Sequence, residues 1–144
     1  MSQKTIKFEV VTPERVVLKE DALQATVPTR VGEITVLPEH IPLVSILKAG
    51  VIEIKNKDGE RSVVAVSGGF IDVQRHKIVI LADTAERSEE IDLGKAEEAQ
   101  KRAEKIREDA VHKDDVNFAD MTLRIEKELA RSSAVKRWRK LQGK

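Results

Sequence analysis

The run Ile52-Glu53-Ile54-Lys55-Asn56-Lys57-Asp58-Gly59-Glu60-Arg61-Ser62-Val63-Val64-Ala65-Val66-Ser67-Gly68-Gly69-Phe70-Ile71-Asp72-Val73 decides the fold. Ile52 and Ile54 alternate with Glu53 and Lys55, a period of two that gives a strand one apolar face. Asn56-Lys57-Asp58-Gly59 follows, and Asp-Gly between two apolar runs signals a hairpin. Val63, Val64 and Val66 make the next strand, Gly68-Gly69 breaks it, and Ile71 and Val73 begin another. Upstream, Ile6, Phe8 and Val10 alternate with Lys7 and Glu9. Downstream, a polar turn over residues 74–77 leads into Ile78-Val79-Ile80-Leu81. The whole segment predicts about ten short strands with turns between them and no helix, the pattern of an antiparallel sandwich or flattened barrel.

Past residue 85 the period changes. Leu93, Ala96, Ala99, Ala103, Ile106 and Ala110 recur at helical spacing, and the mostly Ala stripe lets a partner backbone come close. His112-Lys113-Asp114-Asp115 is a polar break in which either Asp suits an N-cap. Phe118, Met121, Ile125, Leu129, Val135 and Trp138 then mark a second stripe. The fold class is β+α: an N-terminal antiparallel β-sandwich over residues 1–86 and a C-terminal antiparallel two-helix hairpin over residues 87–144. Two helices with thin stripes bury little between themselves, and helices of this kind are stabilised chiefly by packing. The hairpin must therefore lean on the sandwich or on another protein, and near-equality of those two options would make it a bistable element.

Composition narrows the function. The 144 residues carry 26 Lys and Arg against 25 Asp and Glu, balanced within each part, and contain no Cys. Without Cys there is no disulfide, thiol nucleophile or Cys-based metal site. Near-neutral charge argues against nucleic acid as a partner. No apolar run approaches the roughly 18 residues that span a membrane. The opening residues lack the apolar core of a signal peptide, so the chain is expected to stay where it is made. His40, His76 and His112 fall in unrelated segments, which predicts no metal site. Gly68-Gly69 lies between strands, so it reads as a bulge or turn and not as a phosphate cradle. No phosphate loop, dinucleotide fingerprint or nucleophile elbow is present. The expectation is a chain with no enzyme activity of its own.

Three runs carry a resemblance. They are Gly32-Glu33-Ile34-Thr35-Val36-Leu37-Pro38-Glu39-His40-Ile41-Pro42-Leu43, then Val66-Ser67-Gly68-Gly69-Phe70-Ile71-Asp72-Val73, then Leu81-Ala82-Asp83-Thr84-Ala85-Glu86-Arg87 with Ile91-Asp92-Leu93-Gly94-Lys95-Ala96. With Val10-Val11-Thr12-Pro13-Glu14 at the start, the chain resembles the epsilon subunit of bacterial F-type ATP synthases over nearly its whole length. The resemblance implies a non-catalytic rotor subunit of the central stalk that couples a proton-driven membrane ring to the catalytic head. Its implied partners are the gamma subunit, the proteolipid ring and the alpha and beta subunits. The hairpin is implied to fold onto the sandwich or extend along gamma into the head, where it blocks ATP hydrolysis. The implied location is peripheral, on the cytoplasmic face of a bacterial plasma membrane, without direct lipid insertion. A stand-alone hairpin module that senses ATP is the competing expectation.

The resemblance also assigns residues. Glu33 and His40 match positions that face the polar loops of the ring; the alternative is a pair of solvated loop residues. The family commonly has Gly where Thr35 stands, and often Gly where Glu39 stands. Arg124, Arg131, Lys136, Arg137, Arg139 and Lys140 would meet an acidic loop of the catalytic beta subunits, or form a cationic helix end favoured by the helix dipole. Trp138 would anchor the inserted helix or cover the hairpin's end. Some relatives hold one ATP on the folded hairpin through Ile/Leu-Asp-x-x-Arg-Ala. The matching positions are Ile91, Asp92, Lys95 and Ala96, with Glu86 upstream and Arg102, Lys127 and Arg131 on the helices. Asp92 would accept from the adenine amino group or cap the first helix. Lys95 and Lys127 stand in place of Arg and lose its planar fork. No cofactor is required, and ATP is expected at most as a weak regulatory ligand.

Overall fold

The computed structural model describes residues 4–110 and 118–143, with Ala110 and Phe118 described by their backbone only. Nine strands come first: β1 (Ile6–Val11), β2 (Val16–Thr29), β3 (Gly32–Val36), β4 (Leu43–Leu47), β5 (Gly50–Asn56), β6 (Arg61–Val66), β7 (Gly69–Val73), β8 (Lys77–Ala82) and β9 (Ala85–Arg87). A short 3-10 turn at Ser88–Glu90 leads to helices α1 (Leu93–Ala110) and α2 (Phe118–Leu141). The strands run in the order β1-β8-β7-β4-β2-β5-β6-β9, with β3 also on β2 and β1 also on β2. This is the expected sandwich followed by two helices.

The long strand β2 joins the two layers. Its first half pairs with β1, and its second half pairs with β3 and β5. A register shift between Ala22 and Gln24 sits between those halves. Leu18 and Ala22 are buried before it, and Ala25, Val27 and Thr29 after it, so the buried positions change parity. An extra residue in a strand does this, because side chains alternate with a period of two. Both halves thus point inward, onto Phe8, Val10, Ile52, Ile54, Ile71, Ile78 and Ile80. One pairing departs from the antiparallel expectation: β1 runs parallel to β8. The two strands lie at opposite ends of the sandwich sequence, so no tight turn forces them to oppose each other.

Local chemistry fixes the turns. Asn56 Oδ1 accepts the amide hydrogens of Asp58 and Glu60, each at 2.9 Å, and Gly59 takes φ +83°. At the 67–69 break, Asp83 donates its amide to the Gly68 carbonyl (3.1 Å), and the Ser67 and Thr84 hydroxyls share a hydrogen bond. Asp92 caps α1: its Oδ1 accepts from the Lys95 amide at 3.1 Å. The expected caps Asp114 and Asp115, with His112, lie outside the described residues.

The helices pack in series. α2 lies on β5 and β6, and α1 lies on α2. Val63 and Ala65 point out of β6 toward the helices while Val64 and Val66 point into the sandwich, so β6 is covered on both faces. The helix stripe differs from the expected one in two places. Leu129 and Ile106 are 43% and 48% exposed, whereas Ala130, Ser132 and Ala134 are buried. α2 touches the sheet on one side and α1 on another, so its buried arc is wider than a single stripe and is centred away from Leu129.

Candidate functional site

The surface between hairpin and sheet is built from small side chains. Val51, Val63 and Ala65 from β5 and β6 meet Ile91, Ala96, Ala130, Ala134 and Val135, with Leu93 and Trp138 at the margin. Burial stabilises roughly in proportion to apolar area, and Ala contributes little of it. The contact is continuous, yet weak per residue. Ser132 Oγ, also on α2, is buried without a hydrogen-bond partner among the described residues.

Ion pairs ring this contact. Arg131 of α2 donates through Nε to Glu86 of β9 at 2.7 Å and through a terminal nitrogen to Glu128 at 2.9 Å. Burial alone would lower the pKa of Arg131, but the hydrogen bonds to Glu86 and Glu128 outweigh it, and the guanidinium is held charged. Arg137 reaches within 4.0 Å of Glu53 on β5, and Arg61 donates to the same carboxylate. Lys136 lies 3.6 Å from Glu97 on α1. At the base of the hairpin, Arg15 donates to Glu90 at 2.9 Å, which draws the Glu90 carboxyl below its usual value.

The residues expected for a nucleotide are partly assembled. Glu86, Lys127 and Arg131 share a crevice beside Ala65 and Thr84. A cleft of 230 Å³ beside it adds Glu14, Arg15 and Asp83. Ile91 and Ala96 are buried in the hairpin–sheet contact, and Lys95 and Arg102 are exposed on α1. Of the two roles left open for Asp92, the geometry has Oδ1 serving as the cap. Arg131 is already occupied by two carboxylates. Arg124, Arg139 and Lys140 are exposed on α2, and Trp138 is half-buried at the end of the hairpin.

At the other end of the sandwich, Glu33 is exposed on β3. His40 is half-buried in the β3–β4 loop, where its Nδ1 donates to the Ile41 carbonyl at 2.7 Å. Glu39 beside it takes φ +66° and pairs with Lys4 at 3.1 Å.

One feature carries no counterpart among the expected site residues. Ile46 of β4 opposes Phe70 of β7, which opposes Leu81 of β8. With Val44, they form a row of outward apolar side chains, from 43% to 69% exposed. Ile41 and Val16, at 75% and 54% exposed, lie in nearby loop and strand. The signal was present in the sequence: outward positions of strands that should be polar hold Val, Ile, Phe and Leu. Contiguous exposed apolar surface of this kind marks an interaction site.

Residues 5–88 match the family model described as ATP synthase, Delta/Epsilon chain, beta-sandwich domain. The ATP synthase epsilon chain of Chloroflexus aggregans is 44% identical over 121 residues, covering 84% of this chain and 86% of that one. That of Moorella thermoacetica is 46% identical over 101 residues, covering 70% and 75%. The chain belongs to the ATP synthase epsilon chain family. A solved chain from the mitochondrial ATP synthase of Euglena gracilis superposes with a TM-score of 0.78 at 24% identity, covering 91% of this chain and 81% of that chain. That likeness shows the fold alone, over 91% of the chain. No helix among the described residues is long and apolar enough to cross a membrane.

Proposed function

We propose that this epsilon chain is a rotor subunit of the central stalk of a proton-translocating F-type ATP synthase, and that its hairpin restrains ATP hydrolysis by leaving the sandwich for the catalytic head. The observation that carries this reading is the hairpin's seat. It is made largely of Ala and Val, it is edged by ion pairs, and it lies on β5 and β6, which leaves the apolar row of β4, β7 and β8 exposed apart from an edge shared with Leu123 and Glu126 of α2. A subunit anchored through that row to gamma keeps its hairpin free to move. Val44, Ile46, Phe70 and Leu81 are the proposed gamma contacts. Glu33 and His40 meet the polar loops of the ring, and the His40–Ile41 hydrogen bond holds the imidazole in a fixed pose. The basic residues of α2 meet acidic surface on the beta subunits, beside alpha. The chain supplies contacts and carries no reaction of its own; it acts peripherally, on the cytoplasmic side of the membrane that holds the ring.

ATP is at most a weak regulatory ligand in this reading. Its phosphates would have to displace Glu86 or Glu128 from Arg131, and Lys127 offers a point charge where a fork would grip better. The test is truncation after Ala110 in the reassembled complex. Hydrolysis should rise while assembly is retained; unchanged hydrolysis removes the inhibitory role. Size-exclusion of the chain mixed with gamma tests the stalk role separately. Binding to ATP without binding to gamma would favour the stand-alone sensor.

A further inference from the structure

Two of the cations assigned above to the catalytic head already have carboxylate partners on the sandwich. Arg131 gives its Nε–H to Glu86 at 2.7 Å, and Arg137 lies 4.0 Å from Glu53. Both pairs cross the surface that must open when the hairpin leaves. Both carboxylates are sheltered, with side chains 34% and 20% exposed, which strengthens their pull relative to a fully solvated pair. Arg131 keeps Glu128, three residues back on its own helix, when it leaves Glu86, so the loss on opening is the Glu86 pair alone, and an anion on another protein can make that loss good.

We infer that Glu86 and Glu53 are a built-in latch that competes with the head's acidic surface for Arg131 and Arg137. The hairpin then moves by exchanging one set of carboxylates for another. Such an exchange nearly cancels in energy, because each cation is paired in both states and only the difference between partners remains. A switch of that kind is poised: small changes in either partner set shift its population by large factors. The sandwich, and not only the head, sets the threshold of inhibition. This inference rests on the inhibitory reading above, and its test separates the two.

The experiment uses the full chain in the reassembled ATP synthase with Glu53→Gln and Glu86→Gln combined. Because the chain has no native Cys, labels at Gln74→Cys and Ser133→Cys report the distance between sandwich and α2 without side reaction. Asp21→Asn, an exposed charge change on β2, is the control. The double variant should enlarge the separated population and lower hydrolysis, each on the order of three- to tenfold, with the control unchanged. Unchanged distances and unchanged hydrolysis overturn the latch, while truncation after Ala110 still decides the inhibitory reading. Separation of the labels without a fall in hydrolysis upholds the latch and counts against inhibition. A matching change in the control would overturn the latch, since net charge alone would then explain the effect.

Discussion

At Gly69 a Cβ would lie 2.0 Å from the Leu81 carbonyl oxygen and 2.8 Å from the Ala82 Cα, at φ +118°. Gly69→Ala should therefore destabilise the sandwich by roughly 3 kcal/mol or more, visible as a lowered melting temperature. Glu39 is the opposite case, a residue with a Cβ held at φ +66°. Glu39→Gly should stabilise the chain by about 1 kcal/mol in denaturant unfolding, minus the little its exposed Lys4 pair contributes. Glu20 on β2 has one carboxylate oxygen buried without a partner. Burial pushes its carboxyl up from 4.5, against the opposing pull of Arg87 and Ser62. A raised carboxyl pKa means the folded state holds the proton better. The associated stability is present below about pH 4.5 and is lost as pH rises through the folded value. Glu20→Gln should thus raise stability at pH 7 by roughly 1 kcal/mol and leave it unchanged near pH 3. The turn at Asn56–Gly59 and the Asp92 cap were legible in the sequence because each depends on near neighbours, and the Gly68-Gly69 turn because of its two glycines, although its partners Leu81 to Thr84 are remote. The strain at Glu39 is not written in the Glu itself; its one signal is that the resembled family often has Gly at that position.

Among the elements, α2 departs furthest from its sequence pattern. Periodicity assigns Leu129 to the buried stripe and says nothing of Ser132, yet Ser132 is buried and Leu129 is exposed. A single helix reading cannot anticipate contact on two sides. Ser132 Oγ lacks a hydrogen-bond partner among the described residues. Ser132→Ala should tighten the folded-down hairpin by roughly 1 kcal/mol, increase its protection from hydrogen exchange and relieve inhibition. Slower hydrolysis in that variant would contradict the assignment of the folded-down hairpin as the permissive state. In the sandwich, β2 shows the same limit. Its alternation is readable on either side of Ala22, but the parity change between them is not, because the bulge answers to partner strands remote in sequence. The parallel β1–β8 pair is hidden for the same reason.

The whole molecule has two unlike surfaces. One face of the sandwich holds the hairpin through small side chains and ion pairs. The other presents an apolar row that stays 43% to 69% exposed, with Leu123 and Glu126 of α2 sharing a cleft with Ile46 and Phe70 at its edge. The division into sandwich and hairpin was plain from the change of period. Which sheet the hairpin covers, and therefore which is left for a partner, depended on packing that no local pattern encodes. In the proposed function the hairpin must leave β5 and β6 before hydrolysis is restrained. A disulfide between Ala65→Cys and Ala134→Cys, two buried members of the hairpin–sheet contact, would pin it in place, with no other thiol on this chain to compete. The oxidised complex should hydrolyse ATP as fast as one truncated after Ala110, and reduction should bring the restraint back. An oxidised complex as restrained as the reduced one would contradict the account.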